Sequence, residues 1–330
     1  MAYEQIDAIT RRLFLPKLVD NILNDAPLLK IMVKNGEKHD GGTQILQPVK
    51  YAKNSNGGSF ARGQRFEVGA QDTRTKFTFE WKQQYQSITM FGIDLAMNQG
   101  SAKVMDHVAL SMEEAEQDLK DKLATQMFSD GTGNGSLDWT GLYAVVDAGA
   151  NVATYGGKTR STDTWSQGGY AGSIGTLATS NLQSAYRAAK SGNKKPNLAV
   201  TTEAVFDIIE NFYLPTVQNG IVAKVMAPDN FSMTDGYQGN FGFTSLSYKG
   251  VPIVADEYCG SGRFFFLNTD FLALHWLSNP RLGGTKTMGV SITKMKEPVD
   301  QDGEVAQLIN YSEIVCGQPR TNYQLAGITA

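Results

Sequence analysis

Three histidines, two cysteines and two glycine-bearing stretches are the parts of this 330-residue sequence whose types invite a chemical reading. His39, His107 and His275 stand far apart in the chain, with neither the H-E-x-x-H spacing of a zinc helix nor the acidic loop of a calcium site. No metal and no cofactor is therefore expected. Ala171 to Gly175 reads A-G-S-I-G, one residue away from the G-x-S-x-G elbow that exposes a nucleophilic serine. A hydrolase built on Ser173 would also need a histidine base, and His107 falls inside a helical pattern while His275 falls inside an apolar strand pattern. Gly157-Lys158-Thr159 has the end of a phosphate-binding loop, but Val152 occupies the position of its first glycine. Cys259 and Cys316 are isolated, which reads as two small buried side chains in a reducing compartment rather than a disulfide framework. Paired carboxylates such as Glu113 and Glu114 lie on the polar side of a helix and suit a solvated or interface face. No catalytic centre emerges, and the chain reads as a non-enzyme.

Charge is distributed more informatively. From Lys50 to Lys76 six basic residues (Lys50, Lys53, Arg62, Arg65, Arg74, Lys76) face two acidic ones, a net of +4. Between 102 and 129 the acids Asp106, Glu113, Glu114, Glu116, Asp118 and Asp121 outnumber three lysines, a net of −3. Opposite charge on two extended segments of one chain suits a positive segment lying over the negative segment of a neighbouring copy, setting register and partner choice more than raw affinity. The alternative is two unrelated solvated faces.

Those segments are elements of different kinds. Thr43 to Tyr51 is strand-like, and Phe77, Phe79 and Trp81 alternate with Lys76, Thr78, Glu80 and Lys82, the period of a half-buried strand. Ala52 to Thr73 joins them without periodicity, so the whole predicts a long two-stranded ribbon with a mobile tip. Val104, Val108, Met112, Ala115, Leu119, Leu123 and Met127 trace one stripe of a long helix over 101–129, capped by Ser101 and ended at Asp130-Gly131. Pro16 to Asn24 has helical spacing, followed by a second apolar run from Leu28 to Val33. Further helices are expected over 180–190 and over 202–213, the latter stopped by Pro215, and Asn197 to Thr201 reads as a short strand. Strands are expected at 251–255, 263–268, 271–277, 288–294 and 305–316, with a loop over 220–245. The class is α+β, with helices packed on a mostly antiparallel sheet.

Composition sets the outer limits. At 36.0 kDa the chain is long enough for about two domains. Net charge is −3, which argues against a general nucleic-acid-binding surface. Charged residues are 19% and glycines number 34, a low-charge, loop-rich balance suited to a surface covered by partners. No apolar run is long enough to span a membrane, and no secretory signal is visible at the start.

The order of these parts resembles the major capsid proteins of tailed bacteriophages, which have the Hong Kong 97 type fold. Thr43-Gln44-Ile45-Leu46-Gln47-Pro48-Val49, a Gly-rich tip and Phe79-Glu80-Trp81-Lys82 resemble that family's extended loop. Tyr155-Gly156-Gly157-Lys158-Thr159-Arg160-Ser161-Thr162 with Trp165 resembles its Gly-Gly-x-x-Arg-Ser-Thr…Trp stretch. Tyr248 to Val254, Phe266 to Leu272 and Gln301 to Leu308 resemble further strands.

The resemblance implies an N-terminal arm (1–42), an extended loop (43–95) and a peripheral domain (96–196) carrying the spine helix 101–129. It further implies a mixed helix and sheet axial domain (197–316) and a last strand (317–330) returning to the peripheral domain. It implies a shell subunit that assembles with itself into pentamers and hexamers around a phage genome, in a virion capsid built in the bacterial cytoplasm. Its other partners would be a separate scaffolding protein, a portal, decoration proteins and packaged double-stranded DNA held by weak non-specific contact, with no membrane. The candidate inter-subunit contacts are Lys53, Phe60, Arg62, Arg65, Phe66, Arg74 and Lys76 on the ribbon and Glu113, Glu114, Glu116, Asp118 and Asp121 on the spine. Lys53 or Lys76 would be the loop lysine in members that weld subunits covalently, but no partner residues for such a bond are placed. The rivals are an encapsulin-like nanocompartment shell enclosing an enzyme, and a serine hydrolase using Ser173.

Overall fold

The computed structural model describes residues 26–97, 107–218, 245–278, 290–298 and 302–329. The expected helix over 16–24, the first turn of the spine with its Ser101 cap, and most of the 220–245 loop lie outside these residues. Among the described residues the chain divides into two compact units, one drawing on 85–120 and 292–309, the other on 26–84, 121–291 and 310–329.

The first unit takes its order from β4 (Lys82–Phe91), the spine helix α2 (His107–Met127), β14 (Ser291–Ile292) and β15 (Gly303–Cys316), in the portions that fall within its ranges. Its buried side chains are Ile88 and Met90 of β4, Ala115 and Leu119 of α2, and Ala306 and Leu308 of β15. The expected stripe thus appears on the spine, and it continues as Leu123 and Met127. β4 was not legible in the sequence because Gln84 and Gln86 stand among its alternating positions and mask the apolar period. Of the strand expected over 288–294, Ser291–Ile292 is the extended part among the described residues.

The second unit holds two larger sheets. One joins β1 (Glu37–His39) in parallel to β13 (Leu272–Leu277), and β13 antiparallel to the 312–316 stretch of β15. The other has six strands in the order β10 (Ser245–Tyr248), β11 (Val251–Ala255), β9 (Leu198–Thr201), β12 (Phe264–Leu267), β16 (Tyr323–Leu325), β7 (Gly169–Ala171). Three of its five pairings are antiparallel, in keeping with the expected mostly antiparallel sheet. Its central strands β9 and β12 are buried along their whole lengths, in keeping with the apolar run FFFL and with LAVT, whose one polar side chain, Thr201, donates to Arg263 O at 2.8 Å. Helices α3 (Thr179–Ala189) and α4 (Glu203–Gln218) bury Leu182, Ala185, Val205 and Ile209 against this sheet. Short α1 (Pro27–Lys34) buries Leu28, Leu29, Ile31 and Met32.

One expectation is corrected here: Pro215 does not stop α4, which continues to Gln218. A proline removes only its own N–H bond to the fourth preceding carbonyl, so an otherwise helical segment can carry it at the cost of a kink.

Candidate assembly surface

The ribbon is built from β2 (Gln44–Lys50) and β3 (Arg74–Glu80), antiparallel over seven residue pairs from Gln44↔Glu80 to Lys50↔Arg74. Alternation gives it two unlike faces. Ile45, Phe77 and Phe79 are buried on one. On the other, Lys50 sits directly across from Arg74, and Lys76 is the next exposed position on that face. Like charges set opposite one another on paired strands weaken a hairpin that stands alone.

Beyond Lys50 the legs lose their ladder but not their pairing. The backbone N–H of Tyr51 donates to Thr73 O at 3.1 Å, and its hydroxyl donates to Asp72 O at 3.0 Å. The Ser55 N–H donates to Gln71 Oε1 at 2.8 Å, and Gln71 Nε2 donates back to Ser55 Oγ and Asn56 Oδ1. Asn56 Nδ2 also donates to Gly69 O. Phe60 and Phe66 meet edge to face with ring centres 4.9 Å apart, and Gln64 closes the tip on Ala61. The stretch expected to be a structureless mobile tip is a hairpin continued by side-chain amides. Polar cross-links of this sort have no hydrophobic period, so the sequence pattern hides them.

The root of the ribbon is fixed from below by a tight hairpin, β5 (Thr154–Tyr155) and β6 (Lys158–Thr159). Gly156 and Gly157 both have positive φ, +54° and +74°, the geometry a two-residue hairpin turn requires. Gly157-Lys158-Thr159 is therefore half of a hairpin and not a phosphate cradle. The Thr78 N–H donates to Gly156 O at 3.0 Å, and a Cβ on Gly156 would lie 2.7 Å from the Phe77 ring. Tyr155 packs edge to face on Phe77 and Phe79, with ring centres 5.4 and 5.2 Å away, while Trp165 lies 5.2 Å from Phe77 and 5.8 Å from Tyr51.

Arg160 locks this hairpin to the body. It is fully buried and forms an ion pair with buried Asp147 at 3.5 Å. It also donates to the carbonyls of Ala144, Val145, Val152 and Ser166. Asp147 accepts in turn from the N–H groups of Gly149, Asn151 and Val152 and from the Asn151 amide. Burial lowers the Arg160 guanidinium from its usual range, and Asp147 opposes that shift.

The expected contact residues occupy unequal positions. Lys53, Phe60, Arg62, Arg65, Phe66, Arg74 and Lys76 are all exposed on the ribbon. Glu113, Glu114 and Asp118 are exposed on the spine, whereas Glu116 and Asp121 are half-buried. Asp118 accepts from Gln86 Nε2 at 3.2 Å, and Asp121 accepts from the Tyr258 hydroxyl at 2.8 Å. These two acids are engaged within the chain, which leaves Glu113 and Glu114 as the more available pair. Large exposed apolar side chains concentrate on the ribbon (Leu46, Tyr51, Phe60, Phe66, Val68) and in 85–97 (Tyr85, Phe91, Ile93, Met97). The sequence reading missed this second cluster because β4 itself was masked.

The catalytic rival finds no support in the geometry. Ser173 is exposed in a turn between β7 and β8 (Gly175–Thr176), not between a strand and a helix, and its φ is +56°. Among the described residues no histidine reaches its hydroxyl. Cys259 and Cys316 are free and buried, as expected, and burial pushes both thiols up, Cys316 to about 12. The histidines, however, are not isolated in space: His39 and His275 touch, because β1 pairs in parallel with β13 across 236 residues of chain.

No protein-family model and no curated protein matches the sequence. Solved structures do match. A chain of the cyanophage A-1(L) capsid asymmetric unit aligns with a TM-score of 0.75 at 15% identity, over all of both chains. The chain has the Hong Kong 97 type capsid fold. The same capsid fold appears in the native GTA particle capsid, with a TM-score of 0.64 and 10% identity over 97% of this chain and 95% of that one. It appears again in the SrpI encapsulin complex of Synechococcus elongatus PCC 7942, with a TM-score of 0.61 and 9% identity over 99% and 96%. At such identities the fold is shared with little of the sequence.

Proposed function

We propose that this protein is the major capsid protein of a tailed bacteriophage, a structural subunit that assembles with copies of itself into the closed shell around the genome. The observation that carries the reading is the ribbon: a hairpin anchored at its root by Arg160 and Asp147, whose outer part exposes five large apolar side chains and a basic face. An isolated subunit leaves those groups uncovered, and exposed apolar patches mark interaction surfaces. Rings of five and six copies supply the cover through closed symmetry. Obligate interfaces of this kind typically exceed about 2,000 Å², and only the surplus over ordering and docking costs appears as net affinity.

On this reading residues 1–42 are the arm, 43–95 the extended loop, 96–196 the peripheral domain, 197–316 the axial domain and 317–330 the returning strand. The exposed ribbon cations Lys53, Arg62, Arg65, Arg74 and Lys76 face Glu113 and Glu114 of a neighbouring copy. Scaffolding, portal and decoration proteins, and packaged DNA in weak contact with a mildly acidic subunit, complete the particle.

The deciding experiment is size. Purified protein examined by sedimentation and negative-stain imaging is expected as large hollow particles or rings, and a 36.0 kDa monomer persisting at high concentration would overturn the proposal. A second reading, an encapsulin-like shell enclosing an enzyme, rests on the fold shared with the SrpI encapsulin. Particles isolated from the native source separate the two, since nucleic acid inside supports the first and a protein cargo the second.

A further inference from the structure

We propose that Glu37, His39 and His275 form a binding site for one divalent transition-metal ion of the zinc class, with solvent completing its coordination. One ligand atom from each residue lies within 4.8 Å of the other two. His39 Nε2 is 2.8 Å from His275 Nδ1, and Glu37 Oε2 is 3.7 Å from that same Nδ1. Ligands at about 2.0–2.1 Å from a tetrahedral ion sit roughly 3.3 Å from one another, and the two observed separations bracket that edge. Two imidazoles and one carboxylate are a donor set that zinc and its neighbours accept, while calcium and magnesium favour oxygen alone.

The backbone prepares this geometry. Glu37 and His39 are two residues apart on β1 and so share one face. His275 is the register partner of Glu37 on β13, and the strands are tied onward by the Ser278 N–H donating to His39 O at 2.8 Å. The two rings stack with centres 5.0 Å apart and planes at 22°. At present one ring nitrogen donates its proton to the other. An ion would take the place of that proton, which moves to the far nitrogen of its own ring. His275 closes the site from the buried side, and the exposed Glu37 carboxylate leaves an entry path from solvent. Glu313, the register partner of His275 on β15, is not one of the three grouped residues, and its Oε1 accepts from the N–H groups of Thr140 and Ile314. Lys38 is paired with Asp40.

The place of the site gives it a use. β1 ends five residues before the ribbon strand β2 begins at Gln44, so an ion held here would pin the chain entering the ribbon to the sheet through β13. Nothing in this inference depends on shell assembly.

The test uses the full chain without an affinity tag, stripped with chelator and titrated with zinc by calorimetry and with cobalt by visible spectroscopy. One equivalent per chain is expected, with the intense visible bands of four-coordinate cobalt. His39→Ala should weaken binding at least about 100-fold and abolish those bands, since losing a ligand exceeds the 10–100-fold loss seen when a ligand's outer support is removed. Glu37→Gln, at an exposed position, keeps the fold and should weaken binding about 10-fold. His107→Ala, which alters the one histidine outside the cluster, should bind as the unaltered chain does. Failure of the unaltered chain to bind zinc, or equal binding by the His39→Ala and Glu37→Gln variants, would overturn the proposal.

Discussion

Arg160 and Glu313 show what single buried charges do in this protein. The Arg160 guanidinium has Asp147 and four carbonyls as partners and touches no solvent. Replacing it with leucine leaves Asp147 buried without its counter-charge, a loss of about 3–5 kcal/mol. Urea denaturation of the Arg160→Leu subunit should read that loss, and an unchanged midpoint would show that the hairpin under the ribbon is held by its aromatics alone. Glu313 is the opposite case. Its Oε1 accepts from the Thr140 and Ile314 N–H groups, but its buried Oε2 has no partner. Desolvation raises its carboxyl to about 7, against the weaker lowering by those N–H groups and by Lys82. A folded-state value above the unfolded one, near 4.3, means that the native state holds its proton longer. Stability from this group is therefore full below about 4.3 and declines as pH rises through 7. Glu313→Gln, which keeps the shape without the proton, should flatten that decline, worth up to about 3 kcal/mol across the window. Denaturation at pH 5 and at pH 8 checks it.

The ribbon and the spine are the elements on which assembly would act. Deleting Ala52 to Thr73 removes Phe60, Phe66 and three of the six ribbon cations, but leaves β2, β3 and their buried root in place. The expected product is a soluble folded subunit or ring that forms no closed shell, seen by sedimentation and imaging, and normal shells from this variant would show that the ribbon is not an assembly element. Reversing Glu113, Glu114 and Glu116 to lysine should impair assembly most at low salt, because exposed pairs are screened as salt rises. Light scattering across a salt series reads this, and equal impairment at every salt concentration counts against pairing with the ribbon. Within that triple change the exposed Glu113 and Glu114 should account for most of the effect, with half-buried Glu116 adding less.

At the scale of the whole molecule, stability should depend on company. A subunit that buries its ribbon only on neighbours gains stability by mass action, so assembled protein should unfold at a higher temperature than dissociated subunit, and the midpoint of a reversible equilibrium should rise with concentration. Differential scanning calorimetry of both forms tests this, and identical, concentration-independent midpoints would fit a self-sufficient monomer. What the sequence determined by itself was whatever depends on local periodicity: the spine stripe ending in Ala115, Leu119, Leu123 and Met127, the alternation of Phe77 and Phe79, the short strands β9 and β12, and the charge of the ribbon. Local spacing decides which face of a helix or strand leaves water, and that much is written in neighbouring residues. Only the tertiary structure decided the rest. It placed Arg160 on Asp147, engaged Asp118 and Asp121 within the chain, carried the ribbon past its last ladder pair through Gln71 and Asn56, and set His39 against His275. Each of these is a polar contact whose partner is chosen by strand register or loop closure, and no one-dimensional pattern of hydrophobicity records that choice.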